Sequence, residues 1–109
     1  AAGAAGEDRY SRRMTLERLD AAALEAGLSK LPDWSRSGES IHRTYAFKDF
    51  LESMAFVNRV AARAEEVQHH PDLLIRWNKV TLTLSTHDAN GLTEKDLAMA
   101  ADCDRFAAG

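Results

Sequence analysis

Apolar positions along the chain recur with a helical step, then with a period of two, and this pair of patterns occurs twice before a last helical stretch. Thr15 is placed to cap a first helix through Leu16, Leu19, Ala23 and Ala26, with Gly27 as its left-handed stop. Residues 28–33, with Pro32, read as a loop. Residues 34–37 and 40–46 then alternate about a Gly38-Glu39 turn, which predicts a hairpin with Ile41, Arg43 and Tyr45 on one face and His42, Thr44 and Ala46 on the other.

The strongest helical signal runs from residue 47 to about 68, where Phe47, Phe50, Leu51, Met54, Val57, Ala61 and Ala64 form a stripe to be covered by core. Glu52, Asn58 and Arg63 fall outside it, so no second exposed apolar face is expected there. Pro71 disfavours helical geometry at His70, which puts the helix end near His69. Leu73, Ile75 and Trp77, then Val80, Leu82 and Leu84, mark two half-buried strands about a tight turn at Asn78-Lys79. The second strand delivers its far end to Ser85-Thr86-His87, and Asn90-Gly91 turns the chain again. Thr93 is a good N-cap for a last helix, Asp96 completes a capping box, and Leu92 can staple onto Leu97.

The predicted order is therefore α-β-β-α-β-β-α. Polar outer faces on the strands imply an α+β domain, a four-stranded antiparallel sheet with three helices packed on one face. Residues 14–109 suffice for this single domain, and residues 1–13, without apolar periodicity, are expected to be a flexible leader or a remnant added for expression.

Composition narrows the partners. With 14 Lys and Arg, scattered, against 17 Asp and Glu, the net charge is -3, which argues against direct nucleic-acid binding, since phosphate recognition needs a concentrated basic surface. A single cysteine, Cys103, excludes an intrachain disulfide and fits a reducing, cytoplasmic setting. No apolar run approaches the roughly 20 residues of a membrane-spanning helix.

The candidate chemistry lies in two short segments, Glu65-Glu66-Val67-Gln68-His69-His70-Pro71-Asp72 and Ser85-Thr86-His87-Asp88, which hold three of the four histidines. Imidazole both gives and takes a proton near neutrality, so a cluster of three points to proton transfer or to a metal. Glu65 and His69, four apart on one helical face, predict a carboxylate that fixes the ring's tautomer. Three imidazoles and a carboxylate can bind zinc, but adjacent histidines ligate one ion awkwardly and no familiar metal spacing occurs on one face, so no metal is expected. His42, alone on a strand, reads as an ordinary surface or hydrogen-bonded residue.

These two segments, with residues 77–88 and Gly91-Leu92-Thr93-Glu94-Lys95-Asp96, closely resemble the pterin-4a-carbinolamine dehydratase family, and at lower density the resemblance runs from Thr15 through Trp34 and Phe47-Lys48-Asp49-Phe50 to the last helix. It implies the α-β-β-α-β-β-α fold and a hydro-lyase that dehydrates a 4a-hydroxytetrahydropterin to the quinonoid dihydropterin in tetrahydrobiopterin recycling. The resemblance implies no cofactor. By matching positions, His69 and His87 would be the acids that protonate the departing hydroxyl from either face of the pterin, and His70 would bind the pterin and serve as base. Gln68, Ser85, Thr86 and Asp88 would contact substrate, and Glu65 would orient His69. Leu73-Leu74, Trp77 and Gln68 depart from the commoner family pattern, and the leucines would thin an aromatic wall of the pocket.

The resemblance also implies a homodimer or homotetramer. Some family members are dimerisation cofactors of a transcription factor, which sets a protein-binding function using helical surface against the enzymatic one. A metal-dependent hydrolase built on the same histidines is a third reading, which chelation would separate from the other two.

Overall fold

The computed structural model describes residues 17–109. The leader at 1–13, the Thr15 cap and Leu16 lie outside the described residues. The elements are α1 (Ala21–Leu28), β1 (Ser35–Ser37), β2 (Ser40–Ala46), α2 (Phe50–Val67), β3 (Asp72–Arg76), β4 (Lys79–Leu84) and α3 (Glu94–Ala108), in the predicted order.

All strands are antiparallel, in the spatial order β1-β2-β4-β3. Ile41, Tyr45, Val80, Leu82 and Leu84 are buried on one face, where they join Leu24 of α1, Phe56, Val57, Val60 and Ala64 of α2, and Ala98, Met99, Ala100 and Cys103 of α3 in one core. The opposite face carries polar residues such as Thr44 and Thr81, whose hydroxyls bond at 2.7 Å. This is the period-two alternation of a sheet covered on one side.

Several local readings shift. The first helix starts at Ala21, capped by Asp20, whose carboxylate accepts from Ala23 N at 2.8 Å. Leu19 is not yet helical, because its N–H bonds to Leu92 O at 2.9 Å and ties the entry of α1 to that of α3. Gly27 lies inside α1 rather than stopping it: a Cβ there would sit 2.3 Å from Leu97 Cδ1, so its smallness serves helix packing.

Asp49 caps α2, its side chain accepting from Glu52 N at 2.9 Å, and Phe47 packs on the core from outside the helix. The buried face is Ser53, Phe56, Val57, Val60 and Ala64, so the expected stripe was out of phase at its start. Phe50 and Leu51 are left 46% and 79% exposed, an apolar surface that the pattern did not foresee.

The β3–β4 turn falls one residue earlier than expected. Arg76 pairs with Lys79, and Trp77, not Asn78, takes the left-handed backbone (φ 53°). Asn78 is occupied otherwise: its side-chain amide donates to Phe47 O at 3.1 Å and its carbonyl accepts from Phe47 N at 2.7 Å. That clip fixes the start of α2 against the hairpin, and the pairing Asp72↔Thr83 fixes where the chain leaves α2 against the end of β4.

Candidate active site

Two chain segments meet at that end of the sheet. The first is the exit of α2, which ends at Val67 with Gln68 in the left-handed conformation (φ 53°, ψ 47°). The N–H groups of Gln68 and His69 both bond to Ala64 O, and Gln68 Nε2 donates to Glu65 O at 2.7 Å. One left-handed residue takes the following side chains off the helical face, so the four-residue spacing of Glu65 and His69 no longer makes them neighbours.

His69 instead turns inward and is 8% exposed, with Nε2 2.7 Å from Asp96 Oδ1. Glu65 bonds to His70, Oε2 to Nε2 at 2.5 Å, on the surface. The expected Glu65–His69 pair is thus replaced by two pairs, a buried His69–Asp96 and an exposed His70–Glu65.

Asp96 sits in the first turn of α3, fully buried. Its Oδ2 accepts from Thr93 N at 3.0 Å, which closes the capping box, and from Thr86 Oγ1 at 2.8 Å. Thr86 and Thr93 hydroxyls are 2.7 Å apart. A helix N-terminus favours negative charge, so the carboxylate is seated where the backbone itself stabilises it. The Thr93 amide can only donate, so Oδ2 serves as an acceptor, and with the carboxylate ionised the proton shared with His69 sits on Nε2 and Nδ1 carries none.

The second segment follows β4. Thr86 and Gly91 form an isolated bridge (N to O, 2.9 Å), and between them His87–Ala89 make one 3-10 turn closed by Asn90 in the left-handed region (φ 55°). His87 and Asp88 project to solvent from this turn. Gly91 lies under the Arg18–Glu39 pair, 2.7 Å apart: a Cβ would lie 2.6 Å from Glu39 Oε2 and 2.8 Å from Arg18 Nε, the ends of exposed side chains that can swing aside. Ser85 Oγ donates to Glu39 O at 2.8 Å, so the loop is held from the β1–β2 hairpin as well.

Of the residues singled out from sequence, His69 and Thr86 are joined through one carboxylate, and His70 and His87 are their immediate chain neighbours. The Ser85 and Gln68 side chains are engaged with backbone carbonyls, and the Thr86 hydroxyl faces inward. His42 stays apart, opposite Thr83 on the outer face of the sheet. Asp96 is the residue that sequence reasoning placed only as a cap. The signal for its second role was a carboxylate on the first turn of a helix that begins seven residues after His87.

Among the described residues, no three His, Cys, Asp or Glu side chains are grouped to hold a metal ion. Burial pushes the Cys103 thiol up to about 12, which removes it as a nucleophile near neutrality.

The family model described as "Pterin 4 alpha carbinolamine dehydratase" matches residues 17–106. The "Putative pterin-4-alpha-carbinolamine dehydratase" of Thermomicrobium roseum is 54% identical over 85 residues, covering 78% of this chain and 91% of that protein. Among solved structures, a "transcriptional coactivator/pterin dehydratase" from Brucella melitensis superimposes with a TM-score of 0.81 at 35% identity, over 84% of this chain and 99% of that one. A pterin dehydratase-like protein described as a RuBisCO assembly factor in the alpha-carboxysome aligns with a TM-score of 0.59 at 27% identity, over 68% and 86%.

Proposed function

The chain belongs to the pterin-4a-carbinolamine dehydratase family, a family of hydro-lyases, and from that premise we propose that it dehydrates a 4a-hydroxytetrahydropterin to the quinonoid dihydropterin in tetrahydrobiopterin recycling. The observation that carries the reading is the buried His69–Asp96 pair, an imidazole with one nitrogen fixed and the other left for proton exchange. In the reaction the C4a–O bond breaks as the hydroxyl takes a proton and leaves as water, and a second proton leaves a ring nitrogen. His69 and His87 give the first proton, one on each face of the pterin, and His70 binds the ring and takes the second. Groups of this kind contribute about 10²–10⁴-fold each. Gln68, Ser85 and Asp88 offer substrate contacts at the rim, and Glu65 orients His70 rather than His69.

The protein acts as a homodimer or homotetramer. Supporting this, β3 is a sheet-edge strand with all five residues exposed, its Leu73, Leu74 and Ile75 leading into an exposed Trp77, the apolar edge that a second copy would cover. Cys103 suits a reducing cytoplasm, and among the described residues no helix is long and apolar enough to cross a membrane.

The test is the rate of loss of a 4a-hydroxytetrahydropterin generated in situ, with wild type, His69→Ala and His87→Ala, each with and without chelator. Acceleration that resists chelator and falls at least about tenfold in either variant supports the dehydratase. No acceleration over the uncatalysed rate refutes it, and loss on chelation restored by zinc points to the hydrolase instead. The same apolar patch favours a second reading, a protein-binding role such as dimerisation cofactor of a transcription factor. A variant with all four histidines replaced by alanine that still binds the partner would separate the two functions.

A further inference from the structure

We propose that Thr93 and Thr86 form a one-way chain of hydroxyls that fixes Asp96 and, through it, the tautomer of His69, which makes Thr86 a positioning residue and not the substrate contact expected from its place in the sequence. The meaning of that tautomer for catalysis rests on the dehydratase reading; the geometry does not.

A hydroxyl has one proton to give. Thr86 spends its one proton on Asp96 Oδ2 at 2.8 Å, so the proton between the two hydroxyls, 2.7 Å apart, comes from Thr93, whose oxygen also accepts from Lys95 N at 3.2 Å. Asp96 Oδ2 also receives the Thr93 amide at 3.0 Å, so it meets two donors and carries no proton of its own. Any proton between the carboxylate and the imidazole therefore lies on the Oδ1–Nε2 line, 2.7 Å long.

Burial makes the chain matter. Thr93 and Asp96 are fully buried and Thr86 is 4% exposed, so water does not substitute for a missing hydroxyl. The Thr86 side chain is used twice, as acceptor from Thr93 and donor to Asp96, and is turned away from solvent. Without it, Oδ2 keeps one donor, the carboxylate is free to rotate, and His69 is no longer held to one tautomer.

The experiment is a two-bond proton–nitrogen correlation of the imidazoles in uniformly labelled protein, for wild type, Thr86→Ser, Thr86→Val and Thr93→Val, with kcat and KM measured beside it. Wild type and Thr86→Ser are expected to show His69 protonated on Nε2. Thr86→Val mixes the tautomers, with kcat down about tenfold and KM within about twofold, the signature of lost positioning rather than lost binding. Thr93→Val gives the same change in smaller measure and carries the test if Thr86→Val does not fold.

A raised KM at unchanged kcat in Thr86→Val overturns the proposal in favour of a substrate contact. An unaltered tautomer in both valine variants overturns it outright. Should wild type turn over no pterin, the spectra still decide the hydroxyl chain, so the two failures are distinguishable.

Discussion

Replacing Asp96 by asparagine keeps the shape of the buried side chain and changes only which of its atoms donate. In one orientation the amide oxygen takes the place of Oδ2 and accepts from Thr93 N and Thr86 Oγ1, as the carboxylate does. The amide NH2 then faces His69 Nε2 across 2.7 Å and must donate, which forces the imidazole proton onto Nδ1. The opposite orientation sets the NH2 against the Thr93 amide and costs about 1–3 kcal/mol for the unmade buried bond. The first orientation wins, and His69 has Nε2 committed as an acceptor, so it cannot hold a proton on both nitrogens and serve as an acid. The same exchange in a serine-protease triad lowers kcat by about 10⁴. In the mechanism proposed above His87 is a second acid, so we expect about 10²–10⁴ for the substrate face assigned there to His69.

Stability falls as well, since a buried charge-assisted bond becomes a neutral one, worth about 1–2 kcal/mol less. For a domain of this size that lowers Tm by roughly 5–15 °C. The assay is decay of the 4a-hydroxytetrahydropterin at a temperature where circular dichroism shows the variant folded. A folded Asp96→Asn enzyme with kcat within about threefold of wild type would refute the tautomer argument.

Glu65→Gln should leave the urea midpoint almost unmoved, because the His70–Glu65 pair is 54% and 74% exposed and such pairs contribute under about 1 kcal/mol; a loss beyond that would mean Glu65 has a structural role not seen in its contacts. Cys103 should resist a thiol reagent at pH 8 until the protein is unfolded, read as the rate of chromophore release. Its pH effect has a definite sign: folded and unfolded thiols both keep their proton below the ordinary value of 9.0, and only the unfolded one loses it between there and about 12. Stability therefore falls as pH rises through that window, by up to about 1.4 kcal/mol per pH unit from this group. Urea titrations from pH 8 to 11 should show a shallower fall in Cys103→Ala, with Tyr45, also pushed upward by burial and by Asp104, still contributing. Leu74→Lys together with Trp77→Lys should yield a folded monomer by light scattering; an unchanged oligomer would place the interface elsewhere.

Periodicity made the element order and the one-sided sheet legible, because Val80, Leu82 and Leu84 alternate cleanly and a helical repeat precedes them, although the face that covers them is Phe56, Val57 and Val60 rather than the stripe read through Phe50 and Leu51. The boundaries were less so. Gly27 looked like a helix stop and is a packing contact, since a sequence does not say whether a glycine is chosen for its dihedral angles or for its missing Cβ. The site was half legible: the histidines and their two segments could be read, but the partner of His69 could not. Helical spacing selected Glu65, and a single left-handed residue, Gln68, cancelled that neighbourhood. Asp96 lies 27 residues from His69, and only the tertiary fold brings them together.

The carboxylates of α3 have a mechanical consequence. Much of the buried face of that helix is small, Ala98, Ala100 and Cys103, and such a surface offers little resistance to lengthwise sliding. Three aspartates act as dowels against it. Asp96 engages His69 and Thr86 at one end, Asp102 takes Arg63 of α2, and Asp104 takes Trp34, Arg43 and Tyr45 towards the other. The first and last are about 12 Å apart along the axis, and a slip of one residue would break all three sets together. The imidazole of His69 is thereby referenced to the sheet rather than to its own loop, with a positional tolerance set by the whole length of the helix.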